Sequence, residues 1–210
     1  MKFIRRKIEN GFTLTEILVV IAIIAIVGTI LVLIFTNTLR GSNKSQMLAV
    51  IKQNGQAVLE DMDKTFRGSD AVICPFLTPP DTIIQSANVV VSKNGVYTRY
   101  RFIDSTPTTN GLIEKDHPVK QIILGQKETE SDFINRVCNI NDLMTDEVIL
   151  TDTNLQTGVS VENGLFTRDQ FAGSTDQVTI QFDLVPGVGI SQEVAGQIDP
   201  VTFQTTVQLR

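Results

Sequence analysis

The chain has 210 residues, a net charge of −5, 20% charged residues and 6% aromatic residues. That length suffices for one ordinary domain plus an appendage, and the acidic balance argues against wholesale binding to nucleic acid. With no Trp and a single His, composition does not suggest an aromatic-rich ligand binder. Lys2, Arg5, Arg6 and Lys7 crowd the start of the chain, and residues 17–35 are then apolar except for Gly28 and Thr29. A helix rising about 1.5 Å per residue needs roughly 20 residues to cross the hydrocarbon of a bilayer, so this run predicts a membrane span. A cleaved secretory signal would carry an apolar stretch of only about 7–15 residues and a small-residue cut site behind it. The stretch "TNTLRGSNKSQ" that follows has no such site. Only Arg40 and Lys44 follow the span closely. The charge bias therefore places the N-terminus in the cytoplasm and the remainder of the chain outside. A plain anchor leaves "NGFTLTE" at residues 10–16, and the carboxylate of Glu16, without explanation.

The stretch "RRKIENGFTLTEILVVIAIIAIV" resembles the processing and assembly signature of type IV pilins and type II secretion pseudopilins. That signature is a short basic leader ending in Gly, an apolar or aromatic first mature residue, Glu at the fifth mature position, and an apolar helix. Gly11, Phe12 and Glu16 occupy those three positions. The resemblance covers about 25 residues; beyond residue 36 it is one of layout, although the ending "TFQTTVQLR" loosely resembles some minor pilins. It implies cleavage between Gly11 and Phe12 by a prepilin peptidase, with N-methylation of Phe12. It also implies assembly with other pilin or pseudopilin subunits by an inner-membrane assembly platform.

The residues themselves leave two accounts of Glu16. A carboxylate in a first helical turn is favoured by the helix dipole and can snorkel toward the interface. The resemblance adds a partner, the α-amine that cleavage creates on the neighbouring subunit, cationic at neutral pH. Charges so paired offset each other among apolar helices, and a contact between two different patches propagates into an open filament. On this reading Glu16 pins the assembly register. Gly28 marks either a loosening of the helix on leaving the bilayer or close packing against a neighbour.

Beyond the span, Met47, Ile51, Gly55, Val58, Met62 and Phe66 recur at spacings of three and four, with Leu48 and Leu59 beside them. Polar residues fill the other side, which predicts an amphipathic helix continuing the first and stopping at Lys64, Arg67 and Gly68. From Ala71 the pattern turns to strands. "VVVSKNGVYTRYRF" predicts a hairpin turning at Asn94-Gly95, and "TGVSVENGLFT" a second at Asn163-Gly164. "VTIQFDL" and "VTFQTTVQL" alternate apolar and polar residues. The expected fold is α+β: a long N-terminal helix on an antiparallel head of six to eight strands. Four regions follow: a leader at 1–11, a transmembrane or filament-core helix at 12–36, an amphipathic helix at 37–67, and an exported head at 68–210.

Chemistry in the head is sparse. His117 in "EKDHPV" reads as a solvated loop residue, and "PGVG" at residues 186–189 reads as a turn. The acidic stretch holds Asp142, Asp146, Glu147, Asp152 and Asn154; oxygen-rich loops can bind calcium, but this spacing fits no EF-hand loop. A solvated acidic surface, with no cofactor and no metal, is the expectation. Tyr97, Arg99 and Arg101 project to one side of a strand with Lys93 near its turn, a pattern that an exposed hairpin face shares with a phosphate- or DNA-binding face; the acidic background favours the former. Cys74 and Cys138 are either two buried thiols or a single bridge, the latter stabilising by roughly 4 kcal/mol in the chain-entropy treatment.

The function expected is that of a structural, non-enzymatic filament subunit, first lodged in membrane lipid and then part of an extracellular or periplasmic fibre. The long, irregular head points to a minor subunit. The alternatives are a membrane-tethered exported binding or enzymatic domain whose "NGFTLTE" is fortuitous, and a DNA-binding minor pilin.

Overall fold

The computed structural model describes residues 13–77, 83–123, 125–144, 146–170 and 175–209. Two compact units separate, Met1–Asn43 and Lys44–Arg210. Helix α1 spans Leu14–Arg67 and contributes to both. In the first unit it is long and apolar enough to cross a membrane by length and composition, and its apolar side chains are exposed, from Leu14 to Phe35. The hydroxyls in this stretch are satisfied within the helix: Thr29 Oγ1 donates to Ala25 O at 2.7 Å and Thr36 Oγ1 to Val32 O at 3.0 Å. A medium without water makes such back-bonding necessary. The helix runs unbroken through Gly28, where an added Cβ would meet nothing within 4 Å.

In the second unit the helix turns one stripe inward. Met47, Ile51, Gly55, Val58, Met62 and Phe66 are its buried residues, the same set that the three-and-four spacing predicts. Its end is closed by Gly68 N–H on Lys64 O at 3.3 Å and by Ser69 Oγ on Thr65 O at 2.7 Å. The strands that follow are β1 (Ala71–Cys74), β2 (Ile83–Ser86), β3 (Asn88–Lys93), β4 (Val96–Ile103) and β5 (Leu112–Asp116). Next come β6 (Ile122–Ile123), β7 (Gln126–Lys127), helix α2 (Glu130–Val137), β8 (Val148–Ile149) and β9 (Val159–Asp169). The chain closes with β10 (Gln177–Pro186), the short helix α3 (Gln192–Ala195) and β11 (Val201–Gln208). One sheet has the order β1-β3-β4-β5-β8, a second β11-β10-β9-β2, and β6-β7 form a ribbon; every pairing is antiparallel. The architecture is α+β, as expected. The described residues hold eleven strands rather than six to eight. The excess comes from two-residue pieces, which are too short to show alternation.

A run of aromatic rings ties the layers together. Tyr100, Phe66, Phe166, Phe102, Phe182 and Phe203 follow one another with centroid separations between 4.5 and 6.4 Å. Phe203 then returns to α1, where a Cβ on Gly55 would lie 2.2 Å from its ring. Glycine is therefore set inside a helix, against its propensity, because the ring needs the space. Gly55→Leu is expected to destabilise the head by about 1–3 kcal/mol through overpacking, measured by urea unfolding; an unchanged midpoint would show that the ring moves aside freely.

The two Asn-Gly pairs have different roles. Asn94 (φ 50°) and Gly95 (φ 76°) form the tight turn between β3 and β4, as predicted. Asn163-Gly164 forms no hairpin, and the expectation of one is corrected. β9 continues through it, with Gln181 opposite Leu165 and Asp183 opposite Glu162. Two residues thus oppose the single Phe182, a bulge that bends the strand. Asn163 takes the left-handed conformation (φ 52°), and a Cβ on Gly164 would stand 2.3 Å from the Phe102 ring. The same dipeptide that reverses a chain can also accommodate an extra residue under an aromatic ring.

Candidate functional site

The cleavage and methylation positions, Gly11 and Phe12, lie outside the described residues. Glu16 lies within them, at the third position of α1, with Thr13 as the residue before the helix. Thr13 N–H donates to Glu16 Oε2 at 2.9 Å, and so does Thr13 Oγ1–H at 2.9 Å. Glu16 N–H donates to Thr13 Oγ1 at 3.3 Å. This is a reciprocal capping box, in which two backbone donors of the first turn find partners. Its signal, Thr followed three residues later by Glu at the head of an apolar run, stands in the sequence at Thr13 and Glu16. Both Thr13 contacts fall on Oε2; among the described residues Oε1 has no hydrogen-bond partner.

The strand face carrying Tyr97, Arg99 and Arg101 is covered, which corrects the expectation of an exposed cationic surface. α2 and the turn after it lie over it. Arg99 is 1% exposed and grips Asp116 with two parallel bonds, Nε to Oδ1 at 3.0 Å and Nη2 to Oδ2 at 2.7 Å. Its Nη1 donates to Asp142 Oδ2 at 2.8 Å. Arg101 bonds Glu114 at 3.1 Å and donates to Asp142 O at 2.9 Å. Tyr97 donates to Glu130 at 2.7 Å and meets the Phe133 ring at 4.7 Å between centroids; that hydrogen bond, ahead of burial, pushes its phenol above the usual range. The shared side of these residues was legible, but their cover was not. Lys93 alone of the four is exposed.

The cover is fastened in three ways. Cys138 ends α2 and is joined to Cys74 at the end of β1, with Cα atoms 5.7 Å apart. Cys74, Val90, Phe133 and Val137 form a small apolar cluster of their own. Arg136 bridges Glu128 at 2.8 Å and Asp142 at 3.3 Å. The Arg136 hydrogen bonds hold the Glu128 carboxyl down to about 2, against burial, which acts the other way. α2 itself is capped by Thr129, whose Oγ1 accepts the Asp132 N–H at 3.2 Å, a signal that a search for strand alternation does not register.

The acidic stretch is dispersed among other tasks. Asp142 serves Arg99 and Arg136. Asp152 Oδ1 accepts from Asn154 N–H at 3.0 Å, and Asn154 Oδ1 from Gln156 N–H at 2.9 Å, closing a turn. Asp146 and Glu147 are exposed. Among the described residues no group of three or more His, Cys, Asp or Glu side chains is placed to hold a metal ion. His117 is exposed beside two adjoining clefts.

Residues 6–32 match the family model of the prokaryotic N-terminal methylation motif. No curated protein and no solved structure matches the chain.

Proposed function

We propose, for a chain that carries the prepilin N-terminal methylation motif on a pilin-like α+β architecture, the role of structural subunit in a type IV pilus or pseudopilus. The single observation that carries the proposal is the match over residues 6–32, which takes in the start of a helix long and apolar enough to span a membrane. The precursor sits in the cytoplasmic membrane with its basic leader on the cytoplasmic side. Prepilin peptidase cuts after Gly11, and Phe12 is methylated. The assembly platform then moves the subunit from lipid into a helical filament outside, where α1 packs against the same helix of its neighbours. Exposure of the apolar side chains from Leu14 to Phe35 supports this sequence of events, because the surface needs a cover in both places, first lipid and then protein.

Neither catalysis nor a resident cofactor enters the proposal. The DNA-binding variant of the role loses its main support, since Arg99 and Arg101 are held by carboxylates beneath α2. Mass spectrometry of the protein extracted from membranes of cells holding the peptidase is expected to find a chain that begins at N-methyl-Phe12. An intact Met1 start would favour the rival reading, a tethered domain whose motif is fortuitous.

A further inference from the structure

We propose that two adjoining clefts on the head form a binding site for a linear polyanion. One cleft, of about 560 Å³, is bounded by Gly95 to Tyr97 and by Lys120, Lys127 and Glu130. The other, of about 540 Å³, lies beside the last turns of α1 and includes Asp61, Lys64, Lys93 and Lys115. Val96 and His117 line both, so the two share a wall. Every lysine of the chain beyond Lys52 lines one of them: Lys64, Lys93, Lys115, Lys120 and Lys127. In a chain of net charge −5, this gathers the ammonium groups of four separate segments on one concave surface.

Two carboxylates stand among them, and each is already engaged. Asp61 holds Lys115 at 2.9 Å and accepts from Tyr100 OH at 2.9 Å; Glu130 holds Lys120 and accepts from Tyr97 OH. Among the described residues no carboxylate pairs with Lys64, Lys93 or Lys127. Low-dielectric walls of a cleft focus such a field, while the acidic remainder of the surface is screened beyond about 10 Å at ordinary ionic strength.

The kind of cation narrows the ligand. Lysine is a flexible, hydrated point charge, whereas planar bidentate recognition calls for arginine, and among the described residues no arginine lines either cleft. Tyr100 is fully buried and lines neither cleft, so Tyr97, packed on Phe133, is the single tyrosine there, and the clefts lack the succession of aromatic platforms on which consecutive bases stack. What remains is charge at intervals, suited to a chain with one phosphate or carboxylate on each repeating unit.

The test uses the full chain in a neutral detergent with fluorescent linear polyphosphate and, separately, a fluorescent polyuronate. Binding of at least one is expected, weakening steeply as salt rises. Lys93→Gln/Lys127→Gln should weaken it at least tenfold and lower the salt slope by about two, while Lys44→Gln/Lys52→Gln, equal in charge, should change it less than twofold. Binding of polyphosphate alone assigns the site to phosphate-bearing chains, and binding of polyuronate alone to carboxylate-bearing ones. Binding of neither, or equal weakening by the two double variants, overturns the proposal.

Discussion

Glu16→Val is expected to leave cleavage after Gly11 intact and to keep the subunit out of filaments altogether. The cut lies five residues upstream of Glu16, so the peptidase substrate itself is unaltered at the scissile bond. Within the protomer Glu16 caps its own helix, through Oε2 and Thr13, a contribution of order 1 kcal/mol that processing does not need. In the proposed fibre the carboxylate has a second task. The amine liberated at Phe12 is cationic at neutral pH, and, packed among apolar helices without a counter-charge, it would be stranded at a cost of several kcal/mol per subunit. Repeated at every contact of a helical array, that penalty stops growth. The geometry suits both tasks at once, because Oε1 faces no partner among the described residues and can receive the neighbour's amine while Oε2 keeps the cap.

Glu16→Gln separates the two roles. Glutamine also closes a capping box, so the helix start survives, yet the charge is gone. Immunoblots of sheared filaments against whole membranes read the result for both variants. If Glu16→Gln enters filaments normally, the charge has no part in assembly; if Glu16→Val does, neither task of this side chain matters.

Arg99→Met should destabilise the head by about 3–5 kcal/mol, the usual consequence of removing one partner from a buried ion pair. Asp116 has a fully buried side chain, and Asp142 is 12% exposed. Without the guanidinium Asp116 loses two charge-assisted bonds in a place where water cannot replace them, while Asp142 loses its shorter ion pair and keeps Arg136 at 3.3 Å. Arg99→Lys is not expected to rescue the loss, since one ammonium cannot reproduce two parallel bonds to Asp116 together with a third to Asp142. The two tyrosines serve as local probes in a chain without Trp. Tyr97 contacts Phe133 of α2, whereas Tyr100 stacks on Phe66 of α1. Urea titrations of single Tyr→Phe variants in the Arg99→Met background should therefore show the face under α2 loosening before the core does. A total loss below about 1 kcal/mol would mean that the cover is held by the disulfide and Phe133 with little help from Arg99. A companion double variant, Arg99→Met/Asp116→Leu, should recover part of the loss, because the largest cost lies in keeping a buried carboxylate ionised without the guanidinium rather than in the missing bonds.

The differences between sequence reading and structure have a common cause. Patterns that belong to one element were legible: the stripe from Met47 to Phe66, the alternation of β10, and the turn at Asn94-Gly95 each follow from the period of a single helix or strand. Features that depend on a second element were not. Asn163-Gly164 carries the local chemistry of a turn, and only the register of β9 against β10 makes it a bulge. Arg99 and Arg101 have the alternation of a solvent-facing row, and only the placement of α2 makes that row an interior. His117 and the lysines are scattered over more than sixty residues of sequence, so no window along the chain reveals that they gather.

By itself, then, the sequence determined the membrane-competent helix, the motif at its head with Glu16 in place, the inward stripe of the second half of α1 and the α+β class. All of these rest on residues close enough along the chain for helical or pleated geometry to relate them directly. Tertiary structure alone decided which charges are buried, that Cys74 meets Cys138, and which cations share a cleft. Those outcomes depend on distances between segments far apart in the chain, set by how the sheets and helices pack.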